Sequence, residues 1–347
     1  MSIALSKKLE EGVLMKEETR YIFSNGELFQ KDLSICFKND NGNFYIPIKD
    51  TKELYCFNET SLSTKFLGLL AKAGVVIHFF GYYENYIGTF YPKDYLLSGK
   101  LLVKQASTYE KNRLIIAKEI VKGIGANIRS LLYHYYRHGK GELKPYLDWL
   151  RCDLDLVVDS CKDINQLLSV EGGIWAKFYG CFEWILPNNF VMNKRVKRPP
   201  DNPINALISF GNTLLYTKTI TQLYNTHLNQ TISFLHEPSE RRFSLSLDLS
   251  EVFKPVIVFK TIFDCVNNRK LTVGKHFDKK INYALLNEAG KKVFIDELED
   301  RINQTFEHPK QKRRVSYKQA IRLDAYKLIK YIMEGRPFKP FDMEAKV

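Results

Sequence analysis

The feature that most restricts this chain is a change of hydrophobic period near Pro92. Before it, short runs rich in Ile, Phe and Tyr read YIFSNGELF, LSICFKNDNGNFYIPI and ELYCF. Two Asn-Gly dipeptides, at Asn25 and Asn41, fall between such runs, a strong local hairpin signal. SLSTKFLGLLAKAG then predicts a Ser-capped helix stopped at Gly74, and VVIHFFGYYENYIGTFY returns to strands. Beyond Pro92 the apolar spacing becomes helical, with a long helix expected up to Gly139 and further helices over 143–160 and 163–186. The expected fold class is α+β: a small N-terminal β-rich domain, β-sandwich-like with one helix, then a larger all-α domain. The boundaries that follow are an N-terminal extension 1–20, a β-rich domain 21–95 and an α domain 96–347. Met15 stands before the first expected strand, either as the true start or as a surface methionine.

Charge follows the same division. Residues 1–95 hold 11 Lys/Arg against 12 Asp/Glu, whereas residues 96–347 hold 41 against 27. All the excess of a +13 chain therefore lies in the second part, which points to a polyanion partner, nucleic acid first. A basic domain without such a partner is the plainer alternative. No run of 18 apolar residues exists and the N-terminus has no secretory pattern, so neither a membrane span nor export is expected. Six cysteines without a CxxC pair read as reduced thiols of a cytoplasmic protein.

Within the basic part, HEPSERRFSLSLDLSEVFK runs from His236 to Lys254. Leu245, Leu249, Val252, Phe253, Val256 and Phe259 predict a helix buried along one side. Asp248 and Glu251, three apart, share a face of it. With the imidazole of His236 in the turn before, they form a candidate site for a hard or borderline divalent cation. Arg241, Arg242 and Lys254 nearby suit an anionic substrate. The same residues admit a purely structural reading: Asp248 as an N-cap or first-turn acid, Glu251 and Lys254 as an exposed pair, His236 as a turn histidine.

Other positions carry weaker signals. Glu171 precedes an aromatic stripe of Trp175, Phe178, Tyr179 and Phe182, an odd place for a carboxylate without a partner. His134 and His138 are four apart on the long helix but lack a visible third ligand, and His78 in an apolar strand reads as packed. NKRVKRPPDNP presents Lys194, Arg195, Lys197 and Arg198 to solvent, as a phosphate cradle or as a solvated loop. After Val266 the polar connection NNRKLTVGKHF has room for a short hairpin. Lys312, Arg313 and Arg314 form a basic cluster feeding a last helix with interleaved tyrosines.

Three blocks in register resemble one family: EGGIWAKFYG from Glu171, RVKRPPDNPINALISFGNTLLY from Arg195 and ISFLHEPSERRFSLSLDLSEVFKP from Ile232. It is the family of CRISPR-associated spacer-acquisition integrases, the core adaptation proteins of those immune systems. The resemblance implies that Glu171, His236 and Glu251 are catalytic and hold Mg²⁺ or Mn²⁺, with Asp248 as an auxiliary acid. It implies strand transfer in which a protospacer 3′-hydroxyl attacks a phosphodiester at a CRISPR repeat boundary, and endonuclease activity from the same site. It also implies a homodimer joined through the β-rich domain and a small ferredoxin-like CRISPR-associated partner, acting on protospacer duplex and leader-repeat DNA. Two rival functions stand beside it: a stand-alone metal-dependent nuclease acting on branched DNA in repair, and a non-catalytic DNA-binding scaffold.

Overall fold

The computed structural model describes residues 13–343 except 17, 33, 82, 94–95, 97, 198, 239–242, 281–282 and 309–312. The chain divides between Tyr95 and Leu96 into two compact units.

Among the described residues the first unit carries nine strands: β1 Val13–Lys16, β2 Thr19–Ile22, β3 Gly26–Lys31, β4 Ser34–Asn39, β5 Gly42–Pro47, β6 Glu53–Cys56, β7 Thr60–Leu62, β8 Val76–Phe80 and β9 Tyr86–Phe90. They form a five-stranded sheet, β1-β2-β6-β8-β9, and a four-stranded sheet, β5-β4-β3-β7. Helix α1, Thr64–Ala73, starts where the Ser63 side chain accepts from Phe66 N–H and stops at Gly74 in the left-handed region. Ile22, Leu54 and Ile77 from the first sheet, Leu28, Ile35 and Phe37 from the second, and Phe66 and Leu70 from α1 share one apolar core. The first strands begin at Val13, so the expected extension 1–20 is partly sheet. Met15 sits in β1, paired with Arg20 and partly buried against that core.

The two Asn-Gly signals act differently: the second sits at a hairpin, β4 with β5, and the first does not. Asn25-Gly26 makes no hairpin: β2 pairs with β6 in one sheet and β3 with β4 and β7 in the other. Gly26 is small for another reason, since a Cβ there would meet Lys38 O at 2.4 Å. At the second dipeptide the two-residue loop is Asp40-Asn41, and Gly42, with φ 129°, opens β5. His78 is fully buried, with Nδ1 2.9 Å from Thr89 Oγ1.

The second unit is mostly helical: α2 Gly99–Arg137, α3 Lys144–Cys152, α4 Leu154–Ser160, α5 Ile164–Gly180, α6 Phe182–Ile185, α7 Pro203–Tyr224, α8 Ser244–Phe253, α9 Lys260–Asn267, α10 Val273–His276, α11 Glu288–Asn303 and α12 Tyr317–Glu334. It is not all-α. Two antiparallel hairpins interrupt it, β10 Phe277–Lys280 with β11 Tyr283–Leu286, and β12 Thr305–His308 with β13 Arg313–Ser316. The second hairpin takes up Arg313 and Arg314, which periodicity alone had placed in a cluster leading into a helix.

Helix α7 is buried on nearly every side and forms the middle of this unit, with α8 packed against it and against α2 and α12. Helix α8 is also buried all round, not along one side: nine of its ten residues are buried. It ends at Phe253, because Pro255 has no N–H to continue the ladder, and a π turn over Pro255–Phe259 follows before α9. The carbonyls this break exposes are met from elsewhere. Asn127 Nδ2 on α2 donates to Val252 O at 2.9 Å, and Arg301 Nε on α11 to Val256 O at 2.8 Å. Buried backbone acceptors need such partners, so the interruption holds α8 to the helices around it.

Candidate active site

Three pieces of the second unit supply the candidate residues: α5 brings Glu171, the loop after α7 brings His236, and α8 brings Asp248, Glu251 and, at its C-terminal cap, Lys254. Glu171 and His236 each feel the charge of the other and of Glu251, so the fold gathers all three into one electrostatic site.

Asp248 is the organiser of the loop. It is neither an N-cap nor a first-turn acid; it lies mid-helix and its side chain is fully buried. Oδ2 accepts from Phe234 N–H at 2.6 Å and Leu235 N–H at 2.8 Å. Oδ1 accepts from His236 N–H at 3.0 Å and lies 2.8 Å from His236 Nδ1. A carboxylate can only accept, so Nδ1 carries the proton and Nε2 the free lone pair. Burial pushes the imidazole pKa down, but the hydrogen bond and charge of Asp248, with Glu251 and Glu171 behind it, push it up further, so the net shift is upward.

Glu171 has the partner its aromatic surroundings called for: Trp175 Nε1, one turn on, donates to Oε1 at 2.6 Å. Burial, then the negative charge of Glu251, raises its carboxyl above the ordinary range; Lys254, Trp175 and His236 oppose this. Glu251 bonds Lys254 Nζ through Oε1, and that ammonium stands 5.8 Å from the Trp175 ring centroid. The pair is not a surface salt bridge, since its side chains are 6% and 13% exposed. Glu251 Oε2 is buried without a hydrogen-bond partner. An orphaned buried acceptor costs about 1–3 kcal/mol, more when charged.

Among the described residues no three His, Cys, Asp or Glu side chains form a ready-made ion site. Glu171 turns one oxygen to Trp175 and Glu251 turns one to Lys254. The donor set of two carboxylates and one imidazole nevertheless fits a divalent cation, and Glu251 Oε2 is an unused ligand atom. His134 and His138 do not add a second site. Their rings are 4.5 Å apart, but His138 Nδ1 is engaged by His134 O at 2.6 Å.

The basic residues separate into groups. Lys194 and Lys197 are exposed, as are Arg313 and Arg314 in β13. Arg195 is not presented to solvent. Its Nη1 donates to Asn205 Oδ1 at 3.0 Å and its Nη2 to Ser209 Oγ at 2.9 Å, clipping the segment to α7. Burial lowers its pKa, with Tyr179 and Asp201 opposing. Arg198, Arg241, Arg242 and Lys312 lie outside the described residues.

With this geometry in place, the comparisons are decisive. The family model described as CRISPR associated protein Cas1 matches residues 20–300. The chain belongs to the Cas1 family. A relative named CRISPR-associated endonuclease Cas1 2, from Thermodesulfovibrio yellowstonii, is 40% identical over 94% of this chain and 98% of its own length. Among solved structures, a Cas1 protein from Thermotoga maritima superposes with TM-score 0.82 at 34% identity, covering 92% of this chain and 99% of its own. A casposase bound to integration product shares the fold, with TM-score 0.80 at 19% identity over 96% of each chain. The mixed layout, β-rich first and mainly helical after, is the Cas1 fold.

Proposed function

We propose that this chain is a metal-dependent integrase of CRISPR adaptation, joining a protospacer 3′-hydroxyl to a phosphodiester at a repeat boundary, with endonuclease activity from the same site. The observation that carries the reading is the charge imbalance at Glu171 and Glu251, a half-buried and a buried acid with one carboxylate oxygen unpartnered, beside an imidazole whose Nε2 is left free. Glu171, Glu251 and Nε2 of His236 are the ligands for Mg²⁺ or Mn²⁺. A divalent ion there neutralises charge on a phosphate and favours the oxyanion form of the nucleophile. Asp248 holds the imidazole tautomer and its direction, the part that carboxylate–histidine pairs play behind metals. Lys254, partly exposed beside Glu251, meets the phosphate as a point charge. The exposed Lys194, Lys197, Arg313 and Arg314 track the DNA backbone.

Membership in the Cas1 family, the resemblance of the three blocks and the likeness to relatives named endonucleases support this reading. No described helix is long and apolar enough to cross a membrane. The chain is proposed to act in the cytoplasm, as a homodimer through the β-rich unit, with a small ferredoxin-like CRISPR-associated partner.

The test is a strand-transfer assay with labelled duplex DNA bearing free 3′-hydroxyls, a supercoiled repeat-bearing plasmid and Mn²⁺. Joining should vanish with EDTA and in His236→Ala. Joining that persists in the variant removes His236 from the site. Cutting of branched DNA with no joining, even with the small partner added, favours the repair nuclease, and DNA binding without chemistry favours the scaffold.

A further inference from the structure

We propose that Arg113 is a positioning residue that aims His236, with Tyr109 as its support; this rests on the reading of His236 as a ligand of the site. Arg113 lies on α2, 121 residues before the loop it grips. Its Nε donates to Phe234 O at 2.9 Å and its Nη2 to Leu235 O at 3.2 Å. Nη1 donates to Tyr109 Oη at 2.9 Å and pairs with Glu237 Oε1 at 2.7 Å. The guanidinium also lies 4.9 Å from the Tyr109 ring centroid.

Phe234 and Leu235 are the residues whose N–H groups Asp248 accepts. The peptides leading into His236 are therefore clamped from both edges, a carboxylate on the N–H side and a guanidinium on the C=O side. Three further carbonyls of the loop are met as well. Ser233 Oγ donates to His236 O at 2.7 Å, and Gln105 Nε2 donates to Asn229 O at 2.8 Å and Ile232 O at 3.2 Å. Gln105, Tyr109 and Arg113 are spaced by four, so one stripe of α2 holds the whole run from Asn229 to Glu237.

This arrangement matters because the imidazole has a single fixed hydrogen bond, at Nδ1, and is 29% exposed. The direction of Nε2 is set by where the loop peptides lie. Four of the five N–H donors of Arg113 are engaged within the chain and its side chain is 15% exposed, which suits a brace better than a DNA contact. A lysine keeps the charge but not the fork that spans two carbonyls.

The experiment compares Arg113→Lys, Tyr109→Phe and His236→Ala in the full chain, reading duplex affinity, joining turnover and the side-chain spectrum of ¹⁵N-labelled histidine. Arg113→Lys should lower turnover about tenfold or more, the scale of a displaced catalytic group, while duplex Kd stays within about twofold. The Nδ1–H resonance that disappears in His236→Ala should shift in Arg113→Lys. Tyr109→Phe should move both readouts in the same direction, by less, and decides the matter alone if Arg113→Lys does not fold. Wild-type turnover and an unmoved resonance overturn the proposal, as does a loss of affinity equal to the loss of turnover. Joining that persists in His236→Ala instead overturns the reading of the site itself.

Discussion

Two corners of the same site, three residues apart on α8, differ in how fully their charge is matched. At Asp248 every feature is satisfied: three backbone N–H groups and an imidazole converge on one buried carboxylate. At Glu251 the balance is incomplete: one oxygen takes Lys254, the other is orphaned, and a half-buried acid, Glu171, stands within electrostatic reach. The first corner is built to hold a shape. The second leaves a buried acceptor atom unmet. Stability is spent at the second corner, as is common where function needs like charges together.

The comparison breaks most severely at Asp248. Asp248→Asn turns an amide N–H₂ toward groups that are themselves donors, leaving buried N–H groups unmet. A loss of about 3 kcal/mol or more in urea unfolding is expected, together with loss of joining. A loss under about 1 kcal/mol would show that the loop is held without this carboxylate.

The second corner should respond to ions instead. Mn²⁺ at about 100 times its Kd should stabilise the chain by about 2.7 kcal/mol, and EDTA or Glu251→Ala should remove the effect. Its pH dependence has a definite sign. Glu171 and His236 both have raised pKa values, and ion binding requires one ionised and the other neutral. The Mn²⁺ shift should therefore be full well above the ordinary histidine value of 6.5 and shrink as pH falls through that region. A shift that grew on acidification would contradict the ligand assignment.

The smallest effect is also the most discriminating. Because the folded state raises the pKa of Glu171, it disfavours the carboxylate at neutral pH and above. Glu171→Gln should raise Tm without added metal by about 1–3 °C near pH 8. The gain should vanish near and below the ordinary value of 4.5, where both states of the wild-type side chain are protonated, while joining is lost at all pH values. A fall in Tm near pH 8 would mean that the Trp175 bond outweighs the repulsion from Glu251.

Much of the architecture was legible in the chain. The caps of α1 at Ser63 and Gly74 and the helical period beyond Pro92 come from local chemistry that neighbouring residues share. The two hairpins of the second unit were harder. The polar connection where a hairpin was allowed for holds the short helix α10, and the hairpin begins only at the connection's last residue, Phe277. The other hairpin lies in a charged stretch whose strand pairing no apolar alternation announces. Periodicity also overran α8, because Val256 and Phe259 keep the apolar spacing through a turn that Pro255 converts to π. At the site, residue types and spacing brought out His236, Asp248 and Glu251 and, more weakly, Glu171 beside its aromatic stripe; the resemblance of three blocks joined Glu171 to the others. Arg113, Gln105 and Asn127 carried no comparable signal. A long helix of mixed polarity does not show which of its polar residues will face a loop more than 120 positions away.

The sequence by itself determined a basic helical part after a β-rich one and membership of one protein family, because composition, period and block order survive in a linear string. Only the tertiary structure divided the work between Asp248 and Glu251. Their spacing puts both on one helix, but hydrogen-bond donors and unpaired charges are distributed by packing. Packing placed three N–H groups beside one acid and a second acid beside the other.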